Sequence, residues 1–315
     1  MRCRLVLLLL FVLVAGCRSD GGIAAQGNAA LLEAAGVEEP TLRAAARDVD
    51  EGDGGEAFDR LVAWFQDPST QVSDAREYAL YVAANALIED GKRLKAFYYL
   101  DELLDLYPGG DLYPDAVARQ YAIADSYLDG NNDRFLFLSR GHTGDALEML
   151  FRIQQRASGS ELAERALLRT GDYYFDRGDH DFAEDVYTAF LERYPRSPNV
   201  ARVQLRQAFS NLFQYEGPRY SPTPLLDAQQ QFANFRRQFP QVAEEQNLAE
   251  IFDFIDEELA RKQAIKADFY RRTRRPEAAA ALRQEIVERY PETKTAAESR
   301  RLLGVPEAKP EAEAS

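Results

Sequence analysis

The residues with the plainest chemistry stand near the start of the chain. Val14-Ala15-Gly16-Cys17 sets a thiol behind two small residues, at the end of the unbroken apolar run Leu5 to Val14, which follows Arg2 and Arg4. A positive n-region before such a run reads as an export signal over residues 1–16. The ten residues of the run fall well short of the roughly twenty that a membrane-spanning helix needs. Small side chains at Ala15 and Gly16 let a peptidase close on extended backbone, and the Cys17 sulfur is the nucleophile that forms a thioether. The tetrapeptide resembles a lipobox, which predicts lipid on Cys17 and cleavage in front of it. Cys3 lies in the removed segment, so Cys17 is the one cysteine of the mature chain and no disulfide forms within it. More than one acyl chain on that residue gives stable anchoring at a membrane surface.

Other chemistry is sparse. His142 and His180 are the two histidines, too few for a His/Cys metal site or a Cys-His nucleophile pair. Adjacent acids such as Asp101-Glu102 and Glu257-Glu258 point to different sides of a helix and read as solvated faces. Gly109-Gly110 and Gly52-Gly54-Gly55 lack the following lysine of a phosphate loop. No catalytic residue, metal ligand or cofactor is assigned. The formal net charge of -14 becomes -16 without Arg2 and Arg4, which repels nucleic acid and excludes it as a partner. One stretch departs from this acidity. Arg261, Lys262, Lys266, Arg271, Arg272, Arg274 and Arg275 stand together with a single acid, Asp268. Two readings remain open: a docking patch for an acidic partner, where arginine makes bidentate contacts, or favourable charge at a helix C-terminus.

The elements that carry these residues follow from periodicity. Residues 17–40 are rich in Gly, Ala, Ser and Gln and read as a lipidated flexible tether, and residues 304–315 as a disordered tail. Between them, over 41–303, apolar residues recur at helical spacing with no alternating strand pattern, so the expected fold is all-α. Four segments end in an aromatic-Pro pair at Pro108, Pro195, Pro240 and Pro291. Twelve residues before each proline stands alanine: Ala96, Ala183, Ala228 and Ala279. Five before stand Leu103, Phe190, Phe235 and Ile286, and eight before stand Leu100, Tyr187 and Phe232, with Arg283 breaking the pattern. That spacing is one face of a helix which the proline stops.

In three cases a preceding helix shows a small residue 24 before the proline, Ala84, Gly171 or Ala267, and a large one 21 before, Leu87, Tyr174 or Tyr270. The order over about 34 residues matches the tetratricopeptide repeat, an antiparallel helix pair. Two degenerate units, one over Thr41 to Asp67 and one around Ala146, Leu150 and Ile153, bring the expectation to a TPR-like solenoid of five to six helix pairs. The connection Asp129 to Gly144 carries Phe135-Leu136-Phe137-Leu138, read either as a partner-binding edge or as a segment folding back on the repeats. Gln214 to Pro224, with Gly217 and three prolines, reads as a stiff loop.

The stretches Gly171 to Ala183 and Phe190 to Pro198, with Leu259-Ala260, Phe269-Tyr270, Ala278-Ala279 and Tyr290-Pro291-Glu292-Thr293, resemble the BamD family, lipoprotein subunits of the outer-membrane β-barrel assembly machinery. The resemblance covers residues 73 to 303. It implies a non-catalytic scaffold on the periplasmic face of the outer membrane, and Arg18 after the lipidated cysteine agrees with that membrane. The implied partners are unfolded outer-membrane proteins and a barrel-forming subunit with periplasmic domains. The connection at 129–144 is longer than the family's loops, and the family's arginine in the last repeat falls at Leu282, one place before Arg283, so that contact is not assigned. A repeat lipoprotein of another envelope system, Tol-Pal-associated or for pilus and secretin assembly, is the alternative.

Overall fold

The computed structural model describes residues 27–130 and 142–304. Among these the chain is all-α, with fifteen α-helices, one 3₁₀ turn and no strand. Cys17, the apolar string at 135–138 and the tail from Val305 lie outside the described residues. The chain divides into two compact units, with a boundary between residues 123 and 124.

The first unit holds α1 (Asn28–Ala34), α2 (Pro40–Glu51), α3 (Gly54–Gln66), a 3₁₀ turn at Pro68–Val72, α4 (Arg76–Glu89), α5 (Arg93–Leu106) and the start of α6 (Tyr113–Leu128). Proline opens α2 at its first position and Gly52, at φ 91°, ends it. Only glycine takes that left-handed conformation without a Cβ penalty. Every residue from Ala79 to Leu87 is buried, because α4 packs against α2, α3 and α5. Helix α1 begins inside the stretch 17–40 that composition assigns to a tether. Its first turn is held by a carboxylate 22 residues away: Asp50 accepts the N–H groups of Asn28 at 2.7 Å and Ala29 at 2.9 Å. Leu32 is fully buried. Composition carries no trace of a cap supplied at that distance.

The second unit holds residues 124–130, which include the end of α6, then α7 (Thr143–Arg156), α8 (Glu161–Arg177), α9 (His180–Arg193), α10 (Val200–Phe213), α11 (Thr223–Gln238), α12 (Pro240–Glu245), α13 (Leu248–Arg272), α14 (Pro276–Arg289) and α15 (Lys294–Leu303). The pairs α8/α9, α10/α11 and α13/α14 pack as helical hairpins here, as α2/α3 and α4/α5 do in the first unit. Ser160 and Thr293 cap α8 and α15 by accepting the N–H groups of Ala163 and Ala296.

The repeat grammar has a uniform backbone. Tyr107, Tyr194, Phe239 and Tyr290 all end their helices at φ between -125° and -131° and ψ between 53° and 62°. Each N–H still bonds back to the residue four earlier, Leu103, Phe190, Phe235 or Ile286, at 2.8 to 3.0 Å. The following proline ring forbids the α conformation at the aromatic residue, so the helix completes its last bond and stops there. Those four acceptor residues are themselves fully buried, as are Ala96, Ala183 and Ala228; Ala279 is buried too.

Gly171 shows why small residues stand on the partner helix. A Cβ built there would lie 2.6 Å from Cε1 and 2.9 Å from Cδ1 of Tyr187, which is fully buried. Helices α8 and α9 thus meet with backbone against ring. Tyr174, one turn on, stacks on Phe182 at 5.3 Å. The Tyr187 hydroxyl donates to Asp172 at 2.8 Å, and Asp172 also pairs with Arg202 and, at 2.9 Å, with Arg206. Burial pushes the Tyr187 phenol up, and the Asp172 charge pushes it further, so it stays a proton donor.

Candidate functional site

Two features of the second unit present binding chemistry: the turn between α13 and α14, and a groove at the C-terminal ends of α7 and α9.

The basic residues singled out in sequence divide into two sets. Arg261 pairs with Glu258, a buried carboxylate that also accepts from Tyr215 at 3.2 Å, so it neutralises a buried charge. Lys262 donates to the carbonyls of Tyr220 and, at 3.5 Å, Pro218, which ties down the loop between α10 and α11. These two serve the fold. Arg271 lies 3.8 Å from Asp268, whose carboxylate is already engaged by Arg283 at 2.8 Å. Lys266, Arg272, Arg274 and Arg275 are exposed and have no ion-pair partner among the described residues. They crowd one end of the α13/α14 hairpin, beside Phe269, whose side chain is also exposed. This end of the hairpin thus presents four cations and a ring to solvent.

The backbone of this turn is informative. Seventeen residues before the repeat prolines stand Gly91, Gly178 and Arg274, at φ 75°, 82° and 60°. In all three turns the next N–H closes the helix by bonding to the large residue of the repeat: Lys92 to Leu87 at 2.8 Å, Asp179 to Tyr174 at 3.0 Å and Arg275 to Tyr270 at 2.9 Å. The three turns share one left-handed geometry, and two use the residue that takes it at no cost. The third uses arginine, at a strain of about 1 kcal/mol. Strain held at an exposed, charged position directs attention to function. The substitution is visible in sequence once Gly91, Gly178 and Arg274 are aligned seventeen residues before their prolines.

Arg283 occupies the position where the other repeats bury Leu100, Tyr187 and Phe232. It is buried too, and donates to Asp268 and, at 3.2 Å, to the Ser299 hydroxyl. The break in the pattern is therefore an ion pair inside the repeat core.

The groove, of about 600 Å³, was not visible in sequence. Phe151 and Gln155 line it from α7, Ser158 and Gly159 from the turn before α8, and Arg193 and Tyr194 from the end of α9. Phe151 is exposed, and the Tyr194 hydroxyl is buried without a hydrogen-bond partner. The ring of Phe151 and the guanidinium of Arg193 face this groove, whereas the Tyr194 hydroxyl is closed off from solvent. The one sequence signal was Ser158-Gly159 standing where other repeats have aromatic-Pro.

His180 is half-buried between Phe175 at 5.5 Å and Phe213 at 4.9 Å, and burial holds its imidazole below the usual histidine range against the pull of Asp179 and Asp181. Among the described residues no cluster of three His, Cys, Asp or Glu side chains is placed to hold a metal ion.

Helical hairpins whose second helix ends on an aromatic-Pro stop define a helical repeat protein. The chain belongs to the YfiO family, described as outer membrane lipoprotein, whose model matches residues 135–309. Among solved structures it is similar to the C-terminal part of a TPR repeat-containing protein from Cytophaga hutchinsonii, at 15% identity and a TM-score of 0.38, covering 86% of this chain and 91% of that one. No curated protein matches. No helix among the described residues is long and apolar enough to cross a membrane.

Proposed function

We propose that this chain is a non-catalytic scaffold of the outer-membrane β-barrel assembly machinery, held by lipid on Cys17 at the periplasmic face of the outer membrane. It receives unfolded outer-membrane proteins and docks the periplasmic domains of the barrel-forming subunit. The observation that carries the reading is the α13–α14 turn, where four cations without an ion-pair partner among the described residues and an exposed phenylalanine lie within the region that matches the outer membrane lipoprotein family. In a chain of net charge -14 such a turn selects an acidic domain rather than a nucleic acid or an anionic membrane. The groove between the ends of α7 and α9 offers extended clients a place to lie.

The test is affinity purification of the membrane-extracted protein, with mass spectrometry of what accompanies it. Recovery of a β-barrel protein with periplasmic domains, lost in a variant carrying Arg272→Ala and Arg275→Ala, supports the proposal. Recovery of secretin, pilus or peptidoglycan-associated proteins in its place overturns it in favour of another envelope system.

A further inference from the structure

We propose that a second copy of this chain docks the acidic end of its α4/α5 hairpin on the basic α13–α14 turn, so that self-association and partner binding compete for one surface. The inference rests on the reading of that turn as a docking surface for acids. Charge divides unevenly along the sequence. Residues 27–123 carry 19 Asp and Glu against 8 Lys and Arg, whereas residues 261–275 carry seven Lys and Arg against Asp268 alone. Opposite charges are thus built into separate parts of one chain, which favours pairing between copies.

The acids of the first unit gather where α5 ends. Burial raises the Tyr107 phenol, and Glu77, Glu102 and Asp74 raise it further against the pull of Arg76, which sets these carboxylates around one ring. Arg76 is buried and pairs with Glu102 at 2.9 Å, so it offers little charge to solvent. The turn that carries Asp111 is tied to the same place, because the Leu112 N–H donates to Glu77 at 2.9 Å. Asp105 stands one helical turn after Glu102 on the outer face of α5. Asp74, Asp105 and Asp111 are exposed, as are Val72 and Leu106 beside them in the chain.

The α13–α14 turn is the converse, with four exposed cations around the exposed ring of Phe269. Arg274, at φ 60°, keeps a cation where Gly91 and Gly178 serve the sister turns. Carboxylates beside aliphatic side chains therefore face guanidinium groups beside a ring, so charge meets opposite charge and apolar surface meets apolar surface. Exposed ion pairs are individually weak, and a few of them with one small apolar contact give a dissociation constant of about 0.1–1 mM. Copies tethered by lipid to one membrane surface meet at about millimolar effective concentration, which matches that constant. Anchored neighbours thus pair, and give way to a partner that buries a larger surface.

The test mixes equal amounts of unlabelled and nitrogen-15-labelled full-length protein, extracted from membranes, and couples them with a carbodiimide for peptide mass spectrometry. Links from Lys266 to Asp105 or Asp111 are expected, about half of them joining a labelled to an unlabelled peptide, as random pairing of copies requires. Near 0.5 M salt their yield is expected to fall at least tenfold. The double variants Arg272→Glu, Arg275→Glu and Asp74→Lys, Asp105→Lys each set like charges together, so each alone is expected to lose the Lys266–Asp111 link at least tenfold. Mixing the two variants is expected to restore links between them, which also shows that both fold. A fluorescent ten-residue polyglutamate peptide probes the turn separately, with binding expected to the parent and not to Arg272→Glu, Arg275→Glu. Absence of mixed-isotope links, or mixed links that the charge variants leave unchanged, overturns the inference; peptide binding then leaves the turn an acid-binding surface. A peptide that fails to bind the parent overturns both the inference and the reading of the turn as a docking site.

Discussion

Replacing Gly171 by alanine sets two effects of opposite sign against each other. In an exposed helix the change is stabilising by about 1 kcal/mol, because glycine is the poorer helix former. Here the new Cβ would stand 2.6, 2.9 and 3.3 Å from three ring carbons of Tyr187. The ring has no room to yield, since Tyr187 is fully buried and its hydroxyl is held by Asp172 at 2.8 Å. Overpacking at such a site costs about 1–3 kcal/mol, so the net expectation is a loss of about 0–2 kcal/mol. Urea unfolding followed by far-ultraviolet circular dichroism measures the change. The decisive comparison uses Tyr187→Leu as background, where the clash is gone and Gly171→Ala is expected to stabilise by about 0.5–1 kcal/mol. A sign reversal between backgrounds assigns the cost to the ring. If Gly171→Ala stabilises the parent protein, or costs the same on both backgrounds, the close approach of α8 and α9 does not govern that position.

Further expectations follow from single residues. Arg283→Leu restores the apolar pattern of the sister repeats and changes unfolding free energy by less than about 1 kcal/mol, whereas Asp268→Ala strands a buried cation and costs about 2–3 kcal/mol; denaturant titration of the two variants separates them. His180 is held neutral in the fold by burial, with its pKa below that of the unfolded chain. Lowering the pH through the ordinary histidine range of about 6.5 protonates the unfolded chain first, so stability conferred above that pH is lost below it, and His180→Phe is expected to flatten the dependence in thermal melts at pH 5 to 8. Arg274→Gly is expected to raise stability by about 1 kcal/mol through relief of the left-handed arginine, and a variant no more stable than the parent would show that the turn carries no strain. Cys17→Ser is expected to move the protein from the detergent phase to the aqueous phase in Triton X-114 partition, and continued detergent partition would refute lipid attachment at that residue.

The repeat skeleton was legible in sequence because its causes are local. A proline restricts the residue before it, an alanine or glycine sets how near two helices approach, and helical spacing fixes which side chains share a face; Tyr194 and Gly171 obey these rules within a few residues of chain. The position of the basic cluster was local too, but its use was not. Arg261 and Lys262 carry the same charge as Arg272 and Arg275, yet the first pair is spent on Glu258 and on the carbonyls of the α10–α11 loop, 42 and 44 residues away in the case of Lys262. The second pair has no ion-pair partner among the described residues. Helix α1, capped by Asp50, and the groove that Phe151 shares with Tyr194 also depend on residues brought together across long separations. A one-dimensional pattern records what each residue requires of its neighbours. Which charges are neutralised, and which surfaces stay open, is decided by the partners that tertiary packing supplies, because an ion pair or a groove wall acts over a few ångströms of space whatever the distance along the chain.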